Sequence, residues 1–120
     1  MSLRVDIADR EVAVKQITVA GKLDTTTCAE FDTLCEPALR SAATVLVFDL
    51  AELTYISSAG LRSVFKARKM MEGRGGSVLL VNVQPQVQKV FDVVKALPSQ
   101  SVFKSVAELD QYLDYLQRKP

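Results

Sequence analysis

The stretch "LVFDLAELTYISSAGLRSVF", Leu46 to Phe65, decides how the chain is read. It opens within a continuous apolar run, Val45 to Leu50, broken only by Asp49. Such runs suit a central strand buried on both faces. The second half changes period: Leu61, Val64 and Phe65, then Met71, mark a helix. The local expectation is therefore strand, short loop, helix. Tyr55 and Ile56 are expected to anchor the loop to the core. Ser57 or Ser58 is expected to cap the helix, because a serine oxygen accepts a backbone N–H that the first turn leaves unpaired. Gly60 has no side chain, so backbone or a partner can approach closely.

Downstream, Arg62, Lys66, Arg68, Lys69 and Arg74 put basic charge around the outer side of this helix. An ordinary solvated face is the simpler reading, and an acidic partner surface the other. Gly73, Gly75 and Gly76 stop the helix. "SVLLVNV" reads as a second buried strand. Pro85 suits a first helical turn. Val87, Val90, Phe91 and Val94 then follow at amphipathic spacing, and Pro98 closes that helix. "SVF" at 101–103 is expected to be a short edge strand. Ser105 and Glu108 match a capping box. Val106, Leu109, Tyr112, Leu113 and Leu116 define a last helix.

Upstream, Leu3, Val5 and Ile7 alternate as in a half-buried strand, and "ADRE" is expected to turn the chain. Val12 and Val14 alternate again, with Ile17 and Val19 in the opposite phase. A bulge near Lys15–Gln16 would explain the slip. The hairpin ends near Gly21. Thr27 with Glu30 fits a capping box, opening a helix through Cys28, Phe31, Cys35, Ala38 and Ala42. Pro37 is expected to kink or split it.

The order is β-β-α-β-α-β-α-(β)-α. Alternating strands and helices imply an α/β fold with a mainly parallel sheet and right-handed crossovers. The first hairpin adds an antiparallel strand. The 120 residues carry no internal repeat and read as a single domain, 1–120.

Fifteen basic against 14 acidic residues leave a formal charge of +1, unlike a dedicated nucleic-acid binder. No apolar run approaches the ~20 residues of a membrane-spanning helix, so no direct membrane insertion is expected. The N-terminus lacks the apolar core of a signal peptide. Cys28 and Cys35, on one helix, would lie about 10.5 Å apart along its axis, too far for a disulfide. Two small apolar residues on a buried face are the favoured reading over metal or redox chemistry. A reducing, cytoplasmic location fits.

Histidine is absent. That excludes Ser-His-Asp and Cys-His nucleophiles as usually built, and HExxH metal sites. Ser58 has no lysine three residues on; Leu61 stands there. "GRGG" at Gly73 to Gly76 follows a helix instead of opening one and is no phosphate loop. No enzyme, no cofactor and no metal is expected. From spacing alone, a structural cap and a reactive hydroxyl both remain open for the serines.

These residues resemble a known family. "AGKLDTTT", the segment from "LVFDLAELTYISSAGL" to "VFDVVKAL" and the closing helix are similar to the STAS domain of bacterial anti-sigma factor antagonists. The resemblance runs from about Val12 to Leu116. It implies a STAS-like mixed sheet of four to five strands, with about four helices packed mainly on one side. It implies binding, not catalysis. Family antagonists bind an anti-sigma factor that is also a serine kinase and so free the sigma factor. The kinase phosphorylates a serine on the antagonist and ends binding; a phosphatase restores it. The usual family segment reads Asp-Ser-Ser-Gly-Leu or Asp-Ser-Ala-Gly-Leu, and the serine after the Asp is the acceptor. Ser58 falls on that position, within Ser57, Ser58, Ala59, Gly60 and Leu61.

The resemblance implies a partner surface of Asp24, Thr25 and Thr26, Ser57 to Leu61, and Arg62, bordered by Asn82. Ser57 departs from the pattern, standing where the family has Asp. This departure points to an alternative: a STAS scaffold subunit without phosphorylation, in a lipid-transport ATPase complex or a signalling assembly.

Overall fold

The structure is a computed structural model and describes residues 3–96 and 106–118. Its first strands, β1 (Leu3–Glu11) and β2 (Val14–Leu23), form the expected antiparallel hairpin. Then come α1 (Cys28–Arg40), β3 (Val45–Ile56), α2 (Ser58–Glu72), β4 (Ser77–Val81), α3 (Pro85–Ala96) and α4 (Val106–Arg118). The sheet order is β1-β2-β3-β4, and β2, β3 and β4 are parallel. Both crossovers step the same way across the sheet. Right-handed connections therefore put α1 and α2 on one face.

That face carries the core. Ile17, Val19, Leu46, Phe48 and Leu50 are buried on the strands, and Phe31, Cys35, Val64, Met71, Val87, Val90 and Leu113 meet them from the helices. The rings of Phe31 and Phe48 pack at 5.9 Å between centroids, tilted by 33°. Each such side chain, fully buried, contributes about 1.5–3 kcal/mol. The mixed sheet with helices on one side is as expected, with four strands among the described residues. "SVF", Pro98 and Ser105 lie outside them.

Several local expectations are corrected. "ADRE" does not turn the chain: β1 runs on to Glu11, and the turn is Val12–Ala13. Ala13 takes the left-handed φ of 71°, while the ion pair of Lys15 with Asp9 holds the strand ends together across the hairpin. The register slip falls between Asp9 and Glu11, not at Lys15–Gln16, and Val12 is 96% exposed, so it never belonged to the alternation.

The apolar run of β3 is buried on one face only. Leu46, Phe48 and Leu50 are buried, whereas Val45, Val47 and Asp49 are half-buried and neighbouring Leu79 is 52% exposed. The strand also outlasts its run. Residues expected as loop continue β3 to Ile56, because β2 keeps pairing with them as far as Leu23 opposite Ile56. Slips near Val19 and between Gly21 and Lys22 mask this in the sequence by changing the phase.

Thr27 and Glu30 do not close a capping box. The Thr27 side chain makes no cap bond; its Oγ1 donates to the Lys22 carbonyl at 2.9 Å and accepts the Asp24 N–H at 2.9 Å. Nor does Pro37 split α1. Thr33 and Pro37 are both exposed, so the carbonyl left unpaired can be hydrated. Arg74 is exposed, as expected, yet engaged: its guanidinium donates to the carbonyls of Leu39 in α1 and of Ala43 before β3, tying the turn after α2 to them.

Candidate functional site

The parallel pairing sets the carboxyl ends of β2 and β3 side by side. Leu23 lies opposite Ile56, and the Ser57 N–H donates to the Leu23 carbonyl at 3.0 Å. Helices α1 and α2 therefore begin next to one another. Open α/β sheets bind ligands and partners at such strand ends.

Asp24 organises the first corner. Its Oδ1 accepts the Thr26 N–H at 2.9 Å, the Thr26 hydroxyl at 2.7 Å and the Thr27 N–H at 3.2 Å. Its carbonyl accepts the Cys28 N–H at 2.9 Å, opening α1. Partial burial alone would raise this carboxyl, but the hydrogen bonds from Thr26 and Thr27 outweigh it, and the group titrates below its usual 3.8.

Ser57 caps the second corner, its Oγ accepting the Gly60 N–H at 3.3 Å. Gly60 is required by a close approach of the chain to itself. A Cβ there would stand 2.5 Å from the Leu23 carbonyl oxygen and 2.9 Å from the Ile56 and Leu23 side chains. The first turn of α2 thus sits directly on the end of β2, a place only glycine fits.

Ser58 is the first residue of α2 and is 7% exposed. Its N–H donates to Asp110 Oδ1 of α4 at 2.9 Å. Its Oγ is buried, with no hydrogen-bond partner among the described residues. Helix α4 grips the same junction a second time through Gln117. Gln117 Oε1 accepts the Ile56 N–H at 2.8 Å, and Nε2 donates to the Ile56 carbonyl at 2.7 Å. Leu113, between them, is fully buried. Tyr55 is half-buried beside these groups. Burial first, then the carboxylates of Asp114, Asp110 and Asp24, push its phenol above the usual value.

The site residues expected from the sequence divide accordingly. Asp24, Thr25, Thr26 and Ser57 to Arg62 are brought together. Of these, Thr25, Thr26 and Arg62 are exposed and Asp24 and Ala59 half-buried, while Ser57, Ser58, Gly60 and Leu61 are buried. Asn82 stands apart. It follows β4, with φ 58°, and its Nδ2 donates to Asp49 at 3.2 Å. From Asp49 the strand runs seven more residues to Ile56, on the order of 20 Å at the usual strand rise.

Arg62, Lys66 and Lys69 share one side of α2 with Phe65 and Met70, so these three charges form a stripe after all. Their i, i+4, i+7 spacing carries that signal. Among the described residues none of the three has an acidic partner, whereas Arg68 pairs with Glu72. Cys35 is buried, and burial followed by the charge of Asp32 pushes its thiol up to about 12, which leaves it inert.

Asp110 and Gln117 are the residues that sequence reasoning missed. They fall on the apolar side of the last helix, seven apart and flanking Leu113. Polar residues on a buried stripe need partners, which was the available signal.

The chain belongs to the STAS domain family: the family model matches residues 7–109. Several of its relatives carry the name anti-sigma factor antagonist. The anti-sigma-B factor antagonist of Listeria monocytogenes is 26% identical over 93 residues, covering 78% of this chain and 82% of that protein. BtrV of Bordetella bronchiseptica is 42% identical over 48 residues, 40% of this chain and 41% of BtrV. Among solved structures, the anti-sigma factor antagonist SpoIIAA in its unphosphorylated form gives a TM-score of 0.62 at 21% identity, covering 74% of this chain and 82% of its own. Bacillus SpoIIAA in its phosphorylated form gives 0.63 at 21%, covering 76% and 83%. Those likenesses bear on the fold. Among the described residues no helix is long and apolar enough to cross a membrane.

Proposed function

We propose that this chain binds an anti-sigma factor that is also a serine kinase, and that phosphorylation of Ser58 switches this binding off. The observation that carries the reading is the place of Ser58, at the first position of α2 beside the Asp24–Thr26 corner, where Thr25 and Thr26 are exposed. In the transfer, the Ser58 oxygen bonds to the γ-phosphorus of ATP. The bond from that phosphorus to the β–γ bridging oxygen breaks, ADP leaves, and the hydroxyl proton passes to a base on the kinase.

A phosphate adds roughly −1.5 to −2 charges at neutral pH. The N–H groups and dipole of a helix N-terminus favour such an anion, so the domain need not unfold. The partner surface, by contrast, gains bulk and charge beside Asp24. The stripe of Arg62, Lys66 and Lys69, without an acidic partner among the described residues, fits a partner with an acidic face. A phosphatase would reverse the switch. Neither nucleic acid nor a cofactor enters this scheme.

The test is incubation with the cognate kinase and ATP, site mapping by mass spectrometry, and binding of Ser58→Glu and Ser58→Ala. Phosphate on Ser58, with binding lost in the Glu variant and kept in the Ala variant, supports the reading. An unmodified Ser58, with Ser58→Glu still binding, sinks it.

Two observations favour a second reading, a scaffold subunit without phosphorylation in a lipid-transport ATPase complex or signalling assembly. The Ser58 hydroxyl oxygen is buried, and Ser57 stands where the family has Asp. Affinity purification that recovers a transporter ATPase and no kinase would select it.

A further inference from the structure

Helix α4 meets the β3–α2 junction through one face only. Asp110, Leu113 and Gln117 occupy i, i+3 and i+7, so all three point the same way. Between them they satisfy the backbone N–H of Ser58 and both backbone polar groups of Ile56, and they bury an apolar side chain beside these bonds. None of these bonds is a rung of the sheet, although Ile56 is the last residue of β3. The strands, α1 and α2 already close on one another through Leu23, Ser57 and Gly60.

The attachment falls on the residue whose hydroxyl is sealed. Ser58 Oγ is buried and has no partner among the described residues, an arrangement that a fold built only for stability avoids. Helix α2 has no acidic residue in its first turn. Asp110 is therefore the carboxylate that faces its positive end, on the N–H that a phosphate on Ser58 would also use. The two anions compete for one position. Asp114, on the same helix, adds repulsion, since it lies close enough to act on Tyr55.

We propose that α4 is a releasable cover on Ser58: Asp110 and Gln117 latch it over the junction, Ser58 becomes accessible only when it lifts, and a phosphate on Ser58 keeps it lifted. The cover deepens the reading of Ser58 as acceptor and rests on it for its biological use. Lifting α4 would also uncover Ile56, whose backbone Gln117 holds, adding apolar surface next to the Asp24–Thr26 corner. The partner would then read an opened site, not the closed one.

The test needs no kinase, so its outcome is separate from that of phosphorylation mapping. In the full chain, S58C introduces a thiol with almost the shape of the serine. Labelling with N-ethylmaleimide, located by peptide mass, compares that thiol with Cys28, which is half-buried, and with Cys35, which reports global opening. The thiol introduced by S58C should label at least about tenfold more slowly than Cys28, and adding D110A and Q117A should accelerate it about tenfold while Cys35 stays protected. In a second arm, S58E should raise amide exchange across 106–118 about tenfold and leave α1 unchanged, with S58A behaving as the unmodified chain. Labelling of the S58C thiol as fast as Cys28, no acceleration on D110A and Q117A, or unchanged α4 exchange in S58E would each overturn the proposal. Acceleration of Cys35 in parallel would overturn it too, because α4 would then be part of the fold and not a cover.

Discussion

Helices α1 and α2 begin side by side at the same end of the sheet, yet their N-termini are finished differently. At α1 the whole cap comes from within four residues: Asp24 bonds Thr26 and Thr27, and its carbonyl receives Cys28. That corner is wet, with Thr25 and Thr26 exposed. At α2 the local cap, Ser57 on Gly60, leaves the Ser58 N–H to Asp110, which lies 52 residues away in sequence. That corner is dry, and Ser58 is 7% exposed. A local cap forms with its helix and stays. A distant one can be withdrawn without unwinding the helix it caps, and this separates a structural terminus from one that can be switched.

The largest expected effect is at the contact that joins the two corners. Gly60→Ala puts a Cβ against the Leu23 carbonyl, which is backbone and cannot rotate away. It should cost about 3 kcal/mol, read as a fall in the urea midpoint, and damage both corners together. A loss under about 0.5 kcal/mol would show that the helices do not share the close approach described.

Asp24→Ala should come next, at about 1–2 kcal/mol, because it removes the acceptor for two N–H groups and a hydroxyl. Its pH dependence has a definite sign. The folded carboxyl titrates below 3.8, so its contribution is fully present above 3.8 and is lost as pH falls through the lower folded value. The gap between the parent chain and Asp24→Ala should therefore close in acid. A gap that stays constant down to pH about 2 would assign the loss to packing instead. Ser57→Ala should cost less, about 1 kcal/mol, since it removes one 3.3 Å bond while Asp110 still serves the next N–H. If it costs more than Asp24→Ala, the local cap dominates α2 and the contrast between the two corners fails.

Much of this architecture was legible because each element announces itself through local pattern. Val87, Val90, Phe91 and Val94 fix α3, and the glycines after Glu72 end α2. The order of strands and helices then restricts the sheet. What escaped was set by pairing. The slips beside Val19 and Lys22 are visible only against β2, so the last residues of β3 read as loop. The Thr27 cap failed in the same way: the spacing was right, but Lys22 and Asp24 offered its hydroxyl other partners.

At the site, Ser57 and Gly60 were legible as a cap and a close approach, whereas Asn82 was misplaced because nothing in its own segment tells where β4 stops along β3. Asp110 and Gln117 could be found only by asking why a helix keeps polar groups on its buried side. The burial of Ser58 was invisible, since a serine before a helix reads the same whether or not another helix lies over it.

The most direct measurement is residue-resolved amide exchange by NMR on the parent chain and Asp110→Ala, comparing the N–H of Ser58 with that of Cys28. Exchange at Ser58 should quicken about tenfold in the variant, in step with the amides of α4, while Cys28, held by Asp24, keeps its rate. Equal rates at Ser58 in both proteins, or equal acceleration at Ser58 and Cys28, would contradict a cap that can be withdrawn from one helix alone.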